Sequence, residues 1–159
     1  MGVEIERKFL LSSDAWRDEV EKSLEMRQGY LSHDAQSSVR VRICNDQADI
    51  NIKSTRDGIY RLEYEYPIPM ADARELLNKV AHRPLVEKTR HILHVADHCW
   101  EVDEFHGENS GLVVAEIELA SVEEVFQRPA WLGREISTDA RYYNSNLSKL
   151  PYCYWEADA

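Results

Sequence analysis

The feature that most limits how this chain can fold is a repeated alternation of apolar and polar residues. Because side chains of a β-strand point alternately to its two faces, such a period of two predicts strands. Tight turn sequences separate several of these segments, and Asp57-Gly58 is the strongest signal for a turn residue with positive φ. In chain order the segments are 3–10, a shorter one at 26–31, 38–44, 48–54, 59–66, 86–95, 99–105 and 112–120.

The polar positions of these strands are occupied almost entirely by Glu, Arg and Lys. Exposed strand faces usually contain Thr and Ser, and Glu is a poor strand former. Like charges also recur two residues apart, as in Arg40 and Arg42, which is unfavourable unless an opposite charge lies between them. Two architectures fit this pattern: an open sheet with an ionic face toward water, or a closed barrel with an ionic interior. In the barrel, the buried charges would need partners.

Helical patterns are fewer and shorter than the strand patterns. Apolar residues recur at helical spacing in 70–82, which predicts one amphipathic helix. The chain has 159 residues without a repeat or linker, so we expect one mainly β (α+β) domain covering 1–159. Capping residues predict three more helices, from Ser12 or Ser13 to about Lys22, from Ser121 to before Pro129, and from Thr138 or Asp139 to about Ser148.

The charge balance argues against nucleic acid and anionic membranes as partners. Nineteen Lys and Arg residues against 29 Asp and Glu residues give a net charge of −10, which repels both. The N-terminal sequence carries charged residues where a secretory signal needs an apolar run. Three cysteines without CxxC spacing are typical of reduced thiols. We therefore expect a cytoplasmic protein without a membrane partner.

A closed barrel would bring basic and acidic residues together in its interior. Arg binds phosphate oxygens in bidentate fashion, and six basic groups suit a chain of about three phosphates. Crowded carboxylates raise one another's pKa unless a divalent cation lies among them, and their hard oxygens suit Mg²⁺ or Mn²⁺. The pattern therefore indicates a polyphosphate and a metal ion. The residues are Lys8, Arg40, Arg42, Lys53, Lys88 and Arg90 with Glu4, Glu6, Glu63, Glu65, Glu116 and Glu118.

Two other groups of residues are candidates for a role in the site. His91, His94 and His98 are close in sequence, but 91 and 94 face opposite sides of a strand, so ordinary surface or core histidines are favoured over a zinc site. Glu101 and Asp103 fit equally well as residues of the tunnel lining or as inner salt-bridge partners.

The ordered set of charged motifs resembles the CYTH superfamily, the triphosphate tunnel metalloenzymes, and its short bacterial inorganic triphosphatases in particular. The resemblance starts with EIERK at 4–8, an ExExK motif, and covers nearly the whole chain. It continues through RQGYL at 27–31, RVR at 40–42, NIKS at 51–54, RLEYEY at 61–66, VEKTR at 86–90, WEVDEF at 100–105, VAEIEL at 114–119 and ARYYN at 140–144. It implies an eight-stranded antiparallel tunnel with a hydrophilic interior, flanked by short helices.

The resemblance also implies roles for individual residues. Glu4, Glu6 and Glu118 would hold the principal metal ion, supported by Glu116, Glu63 and Glu65. Tyr30 and Lys88 would be the catalytic residues, with Tyr30 a candidate acid–base group adjacent to Lys88. The phosphates would be bound by Lys8, Arg40, Arg42, Lys53, Arg61, Lys88, Arg90 and Arg141.

Members of this family hydrolyse or cyclise triphosphorylated substrates. The chain adds little beyond the tunnel strands and a few helices, which favours inorganic triphosphate, cleaved to pyrophosphate and phosphate with Mg²⁺ or Mn²⁺. A class IV adenylyl cyclase and a thiamine triphosphatase are the enzymatic alternatives. A polyphosphate or nucleotide sensor is the non-enzymatic alternative, although a sensor has little use for six carboxylates. The sequence is compatible with a homodimer.

Overall fold

The structure, a computed structural model, describes residues 2–34 and 36–156. Within these ranges strands dominate, as the alternation predicts. The strands are β1 (Gly2–Leu11), β2 (Lys22–His33), β3 (Ser37–Cys44), β4 (Gln47–Ser54), β5 (Tyr60–Pro67), β6 (Val86–Val95), β7 (His98–Phe105), β8 (Val113–Glu118) and β9 (Leu132–Glu135). The helices are α1 (Met70–Lys79), α2 (Asn144–Lys149) and short 3-10 helices at Ala15–Glu19, Gly107–Asn109, Ala140–Tyr142 and Tyr152–Tyr154.

Eight of these strands close into an antiparallel barrel. Neighbouring strands follow the order β5-β4-β3-β2-β6-β7-β8-β1, and β1 also pairs with β5, which closes the ring. The short β9 is added beside the end of β1. Of the two architectures that the sequence allows, the closed barrel with an ionic interior is confirmed and the open sheet is excluded.

Apolar residues on the outer side of the barrel pack in three clusters under helices and loops. The largest contains Phe9 and the buried tryptophans Trp16, Trp100 and Trp131. A second is covered by α1 through Ala73 and Leu77, and a third includes Leu147 of α2 with its neighbours. Burial of a large apolar side chain stabilises the folded state by ~1.5–3 kcal/mol, so these clusters hold the charged faces inside the barrel.

The predicted helix over 70–82 is confirmed as α1, whereas two others are shorter than their capping residues indicate. After Ser13 only Ala15–Glu19 is helical, because β2 already begins at Lys22. The segment after Asp139 is divided into a 3-10 helix and α2, because Tyr143 between them is extended with ψ of 134°. No helix among residues 2–34 and 36–156 is long and apolar enough to cross a membrane.

The helix predicted from Ser121 to Pro129 is wrong. The Glu124 carboxylate contacts His98 Nε2 at 2.6 Å and accepts from Ala120 N at 2.6 Å, so this side chain is held against β7. The segment therefore forms a turn followed by irregular chain. Strand β2 is longer than the predicted 26–31, and the four-residue β9 was not predicted.

Gly29 of β2 gives a test of how closely α1 and its following loop pack on the barrel. A Cβ atom at this position would lie 2.6 Å from Leu85 Cδ2 and 2.8 Å from Ala81 Cβ. We therefore expect Gly29→Ala to lower the free energy of unfolding by ~1–3 kcal/mol, measured by urea denaturation. Ser32→Ala on the same strand, where the side chain is exposed, is the matched control and should change it little. Equal stability of the two variants would contradict the close packing.

Candidate active site

The polar faces of the barrel strands enclose a charged cavity of about 180 Å³. With one exception, Arg141, every residue that the sequence assigned to the site lines this cavity. These residues are Glu4, Glu6, Lys8, Tyr30, Arg40, Arg42, Lys53, Arg61, Glu63, Glu65, Lys88, Arg90, Glu116 and Glu118. The alternation along each strand therefore brings together residues that are up to 114 positions apart in the chain, from Glu4 to Glu118.

Antiparallel pairing places charged residues of neighbouring strands directly opposite one another. Lys8 of β1 lies opposite Glu116 of β8, and its Nζ is 3.2 Å from Glu116 Oε1. Lys53 of β4 lies opposite Glu63 of β5 at 3.0 Å. Directly opposed residues on one face of a sheet are the pairs that interact most strongly. The strand register therefore sets most of the ion pairs in the cavity.

Asp103 of β7 is the most completely buried charge in this network, with its side chain fully inaccessible. Its Oδ2 accepts from Lys88 Nζ at 2.7 Å, and Arg90 binds both carboxylate oxygens at 2.8 and 2.9 Å. Burial lowers the pKa of Lys88 to about 8 despite this carboxylate. Arg90 reaches Glu101 at 3.2 Å and Glu116 at 3.3 Å as well. Asp103 is therefore an inner salt-bridge partner, whereas Glu101 lines the cavity.

Glu4 is held ionised by two cations, Arg61 of β5, which lies directly opposite it, and Lys53 of β4. Its carboxylate accepts from Arg61 Nε at 2.7 Å and from Lys53 Nζ at 3.3 Å. Burial opposes ionisation, but the two cations outweigh it and keep the pKa of Glu4 well below its usual value. Burial also lowers the pKa of Lys53 to about 8, with Arg40 and Arg61 adding to the effect.

Glu6 and Glu118 differ from Glu4 because repulsion from other carboxylates acts on both, and the ion pair of Glu6 with Arg56 is long, at 3.9 Å. They lie opposite each other in the β1–β8 register. Burial raises the pKa of Glu6 to about 7, and repulsion from Glu116 and Glu4 adds to the increase. Burial and repulsion from Glu4 and Glu63 also raise the pKa of Glu118. Ionisation of both side chains is therefore unfavourable without a further cation.

This part of the cavity fits a divalent metal ion by the chemistry of its donors. The carboxylate oxygens are hard ligands, and a cation among Glu4, Glu6 and Glu118 would relieve the repulsion that raises two of their pKa values. In residues 2–34 and 36–156, however, no three acidic, His or Cys side chains already form a cage around one point. The histidines have separate carboxylate partners: His91 contacts Glu104, His94 contacts Glu21 and His98 contacts Glu124.

The arginines of β3 have buried hydrogen-bond donors without an acceptor in the part of the chain that the structure describes. Arg40 donates to Asn51 Oδ1 at 2.7 Å, and Arg42 lies 3.7 Å from Asp49 and 3.8 Å from Glu65. The Nε atoms of both arginines are buried and have no hydrogen-bond partner among the described residues. A buried donor without a partner is costly, whereas an anion rich in oxygen atoms would satisfy it. These side chains can therefore bind phosphate groups.

Tyr30 and Lys88 line the same cavity and have different partners across the strands. In the β2–β3 register Tyr30 lies opposite Arg40, and in the β2–β6 register Lys88 lies opposite Met26. The Lys88 ammonium donates to Asp103 and, at 3.0 Å, to Asn144 Oδ1. The adjacency of Tyr30 and Lys88 in the cavity stays a prediction.

Arg141 lies apart from the other residues that were predicted to bind the phosphates. Its guanidinium contacts Asp139 at 2.8 Å, lies over the rings of Tyr142 and Trp155, and does not line the cavity. Other residues that line the cavity were not expected there: Ser38, Arg56, Tyr143, Asn144 and Ser145. Arg56 and Tyr143 are in loops and Asn144 and Ser145 are in α2, where period-two alternation gives no signal. Ser38, in contrast, shares the inward face of β3 with Arg40 and could have been found from the alternation.

Comparison with known proteins assigns the chain to a family. The model of the CYTH domain matches residues 2–154. The chain belongs to the CYTH family. An inorganic triphosphatase of Acetivibrio thermocellus is 50% identical over 152 residues, covering 96% of this chain and 97% of that protein. An inorganic triphosphatase of Nitrosomonas europaea is 34% identical over 149 residues, covering 91% and 96%.

Solved structures of CYTH-like proteins have the same architecture. The crystal structure of the inorganic triphosphatase NE1496 matches with a TM-score of 0.66 and 32% identity, covering 91% of this chain and 93% of that one. A putative adenylate cyclase from Bacillus halodurans matches with a TM-score of 0.62, covering 76% and 83%, but is 16% identical. The second match therefore concerns the fold alone.

The raised pKa of Glu6 predicts how the metal-free CYTH protein responds to pH. The folded state keeps a proton on Glu6 up to about pH 7, whereas the unfolded chain releases it near 4.5, so the free energy of unfolding falls as pH rises between these values. Glu6→Gln should remove this loss. In EDTA, we expect the variant to be more stable than the wild type at pH 8, with a difference that shrinks toward pH 5.

The control for this experiment is Glu123→Gln, which changes an exposed carboxylate. It should follow the wild-type curve of melting temperature against pH. A difference between Glu6→Gln and the wild type that stays constant from pH 5 to pH 8 would contradict the assignment of a raised pKa to Glu6.

Proposed function

We propose that this protein hydrolyses inorganic triphosphate to pyrophosphate and phosphate in the barrel cavity, using a divalent metal ion. The observation that carries the proposal is the contrast inside one cavity between unpaired arginine donors and carboxylates with raised pKa. That combination complements a polyphosphate and a divalent cation bound together. Membership of the CYTH family supports it, as do the names of the two relatives, both inorganic triphosphatases.

The carboxylates of the cavity fall into groups according to the charged residues that they contact. Glu6 and Glu118 have the raised pKa values, and with Glu4 they would hold the principal ion, Mg²⁺ or Mn²⁺. Glu116, Glu63 and Glu65 would support this ion or a second one. When bound, the ion neutralises charge on the phosphate oxygens and polarises the phosphorus–oxygen bond. Glu101 also lines the cavity, but its contact with Arg90 makes it a partner of the cations.

The cations would bind the three phosphate groups and orient them along the barrel. Arg40 and Arg42 each have an Nε donor without a hydrogen-bond partner among the described residues. Each charge-assisted hydrogen bond to phosphate contributes ~1.5–3 kcal/mol. The others already contact carboxylates, so phosphate oxygens would share or replace these contacts. The proposed set that lines the cavity is Lys8, Arg40, Arg42, Lys53, Arg61, Lys88 and Arg90, and a role for Arg141, which contacts Asp139 outside the cavity, stays a prediction.

Tyr30 and Lys88 are the proposed catalytic residues. Tyr30 would take a proton from the water that attacks the terminal phosphorus in line with the leaving group. A new phosphorus–oxygen bond then forms as the bridging bond breaks, and pyrophosphate leaves with the electron pair. Lys88 has a pKa of about 8, so it is mostly protonated at neutral pH and stabilises the negative charge of the phosphates. Asp103 and Asn144 hold its ammonium in place.

The lining of the cavity favours the bare inorganic substrate. Apart from Tyr30 and Tyr143, the lining consists of charged side chains, serines and one asparagine, and Arg56 lies over the Tyr143 ring. A nucleotide base or a thiazolium ring would need an apolar or aromatic surface to pack against. Adenylyl cyclase and thiamine triphosphatase are therefore the alternative activities that an assay must distinguish from cleavage of inorganic triphosphate.

The activity is tested by incubating the protein with inorganic triphosphate, ATP or thiamine triphosphate in Mg²⁺, Mn²⁺ or EDTA. We expect metal-dependent release of phosphate from inorganic triphosphate, with much slower release from the other two and none in EDTA. Formation of cyclic AMP from ATP, or preferred cleavage of thiamine triphosphate, would replace the proposal with one of the alternatives. Binding of triphosphate without turnover would indicate a sensor.

Replacement of Tyr30 by Phe tests the proposed base. A general base contributes ~10²–10⁴-fold to the rate, so Tyr30→Phe should lower kcat by about that factor and leave KM for inorganic triphosphate nearly unchanged. Tyr66→Phe, on the exposed outer side of β5, is the matched control and should have wild-type kinetics. A Tyr30→Phe protein with full kcat across the pH range would remove Tyr30 from the mechanism.

A further inference from the structure

Arg56 reaches the cavity from the loop between β4 and β5, outside the alternation that places the other cations. Its side chain is 10% exposed, although the neighbouring loop residues Asp57 and Gly58 are exposed. It lines the main cavity and also an adjoining polar pocket that contains Ser38, Arg61 and Ser145. Arg56 therefore lies at the boundary between the site and its surroundings.

The contacts of the Arg56 guanidinium leave much of its hydrogen-bonding capacity unused. Its shortest ion pair is a long one, 3.9 Å from Nη2 to Glu6 Oε1, compared with 2.7 Å between Arg61 and Glu4. The Nε atom of Arg56 is buried and has no hydrogen-bond partner among the described residues. A nine-tenths-buried guanidinium with an unpaired donor is costly by itself and would be satisfied by an anion.

The ring of Tyr143 packs against this guanidinium. The Cζ atom of Arg56 lies 4.5 Å from the centroid of the Tyr143 ring. The ring itself is anchored, because the Tyr143 hydroxyl donates to the backbone oxygen of Ser137 at 3.3 Å. Stacking on an aromatic face leaves the N–H groups at the edge of a guanidinium available, so a stacked Arg can still bind phosphate oxygens in bidentate fashion.

We propose that Arg56 binds a phosphate group of the substrate at the cavity mouth, and that Tyr143 is its positioning residue. This inference rests on the proposed function for the identity of the anion. It makes the β4–β5 loop and the segment before α2 one binding unit. Both residues are needed. Without the Tyr143 ring the Arg56 side chain would lose its fixed position, and without Arg56 the tyrosine would offer no charge to the phosphate.

The test is the affinity for inorganic triphosphate, measured by titration calorimetry in EDTA and again in Mg²⁺ with a kinetic readout of KM and kcat. Arg56→Ala should weaken binding by ~10-fold or more, since it removes a charge-assisted contact. In Mg²⁺ the same variant should raise KM more than it lowers kcat. Arg56→Lys, which keeps the charge but loses the bidentate geometry and the stacking, should fall between Arg56→Ala and the wild type.

Two tyrosine variants separate positioning from general loss of structure. Tyr143→Leu removes the ring face and should weaken binding, whereas Tyr143→Phe keeps the ring and should bind nearly as the wild type does. In the double variant Arg56→Ala with Tyr143→Leu, the affinity should equal that of Arg56→Ala, because the tyrosine acts through the arginine. Fully additive losses would overturn the positioning role.

Arg17→Ala is the matched control. Like Arg56, Arg17 lies over an aromatic ring, with its Cζ atom 4.4 Å from the centroid of Trp16, but it does not line the cavity. It should leave the affinity and kinetics unchanged. If Arg56→Ala binds triphosphate as tightly as Arg17→Ala, or if the wild-type protein does not bind triphosphate in either buffer, the inference is wrong. Tight binding without hydrolysis, still weakened by Arg56→Ala, would support Arg56 and count against the proposed hydrolase alone.

Discussion

The structure depends on pairing opposite charges across neighbouring strands inside a closed barrel. Moving one ion out of water costs several kcal/mol, so an ionic interior is stable only if most charges have partners. Asp103 meets this condition for Lys88 and Arg90 together, and Glu116 does so for Lys8. A one-residue slip of a strand would turn these charges outward and the apolar clusters inward. Inner ion pairs and outer packing therefore select the same register.

The chemistry comes from the charges that remain unpaired after this selection. Arg40, Arg42 and Arg56 each keep a buried donor without a partner among the described residues. Glu6 is repelled by the carboxylates of Glu116 and Glu4. These groups destabilise the folded protein when it is alone. A ligand that supplies both phosphate oxygens and a divalent cation would bind the folded state and offset that cost by mass action. Binding energy and stability are therefore coupled through the same side chains.

Most of the wall of the site was predictable because strand alternation is a local property that survives folding. Glu4, Glu6 and Lys8 needed only a period of two to be placed on one face. Arg56 escaped prediction because loop residues have no such period. The Ser121 helix failed for a different reason: the Glu124 side chain, which the capping box places in its first turn, is held against β7 by His98. The alternation gives no place to Arg141, whose guanidinium contacts Asp139 outside the cavity.

The place where Arg56 and Tyr143 meet follows from how β1 changes partners along its length. Its first residues, Gly2–Ile5, pair with β5, and its last residues pair with β9. Between them, Glu6 N donates to Ile59 O of the loop that carries Arg56, and Lys8 N donates to Ser137 Oγ. Ser137 also accepts from Tyr143 through its backbone oxygen. The part of the β1 edge between its pairings with β5 and β9 is therefore hydrogen-bonded by the two segments that bring Arg56 and Tyr143 together. The same two segments complete the barrel wall and form the proposed binding unit.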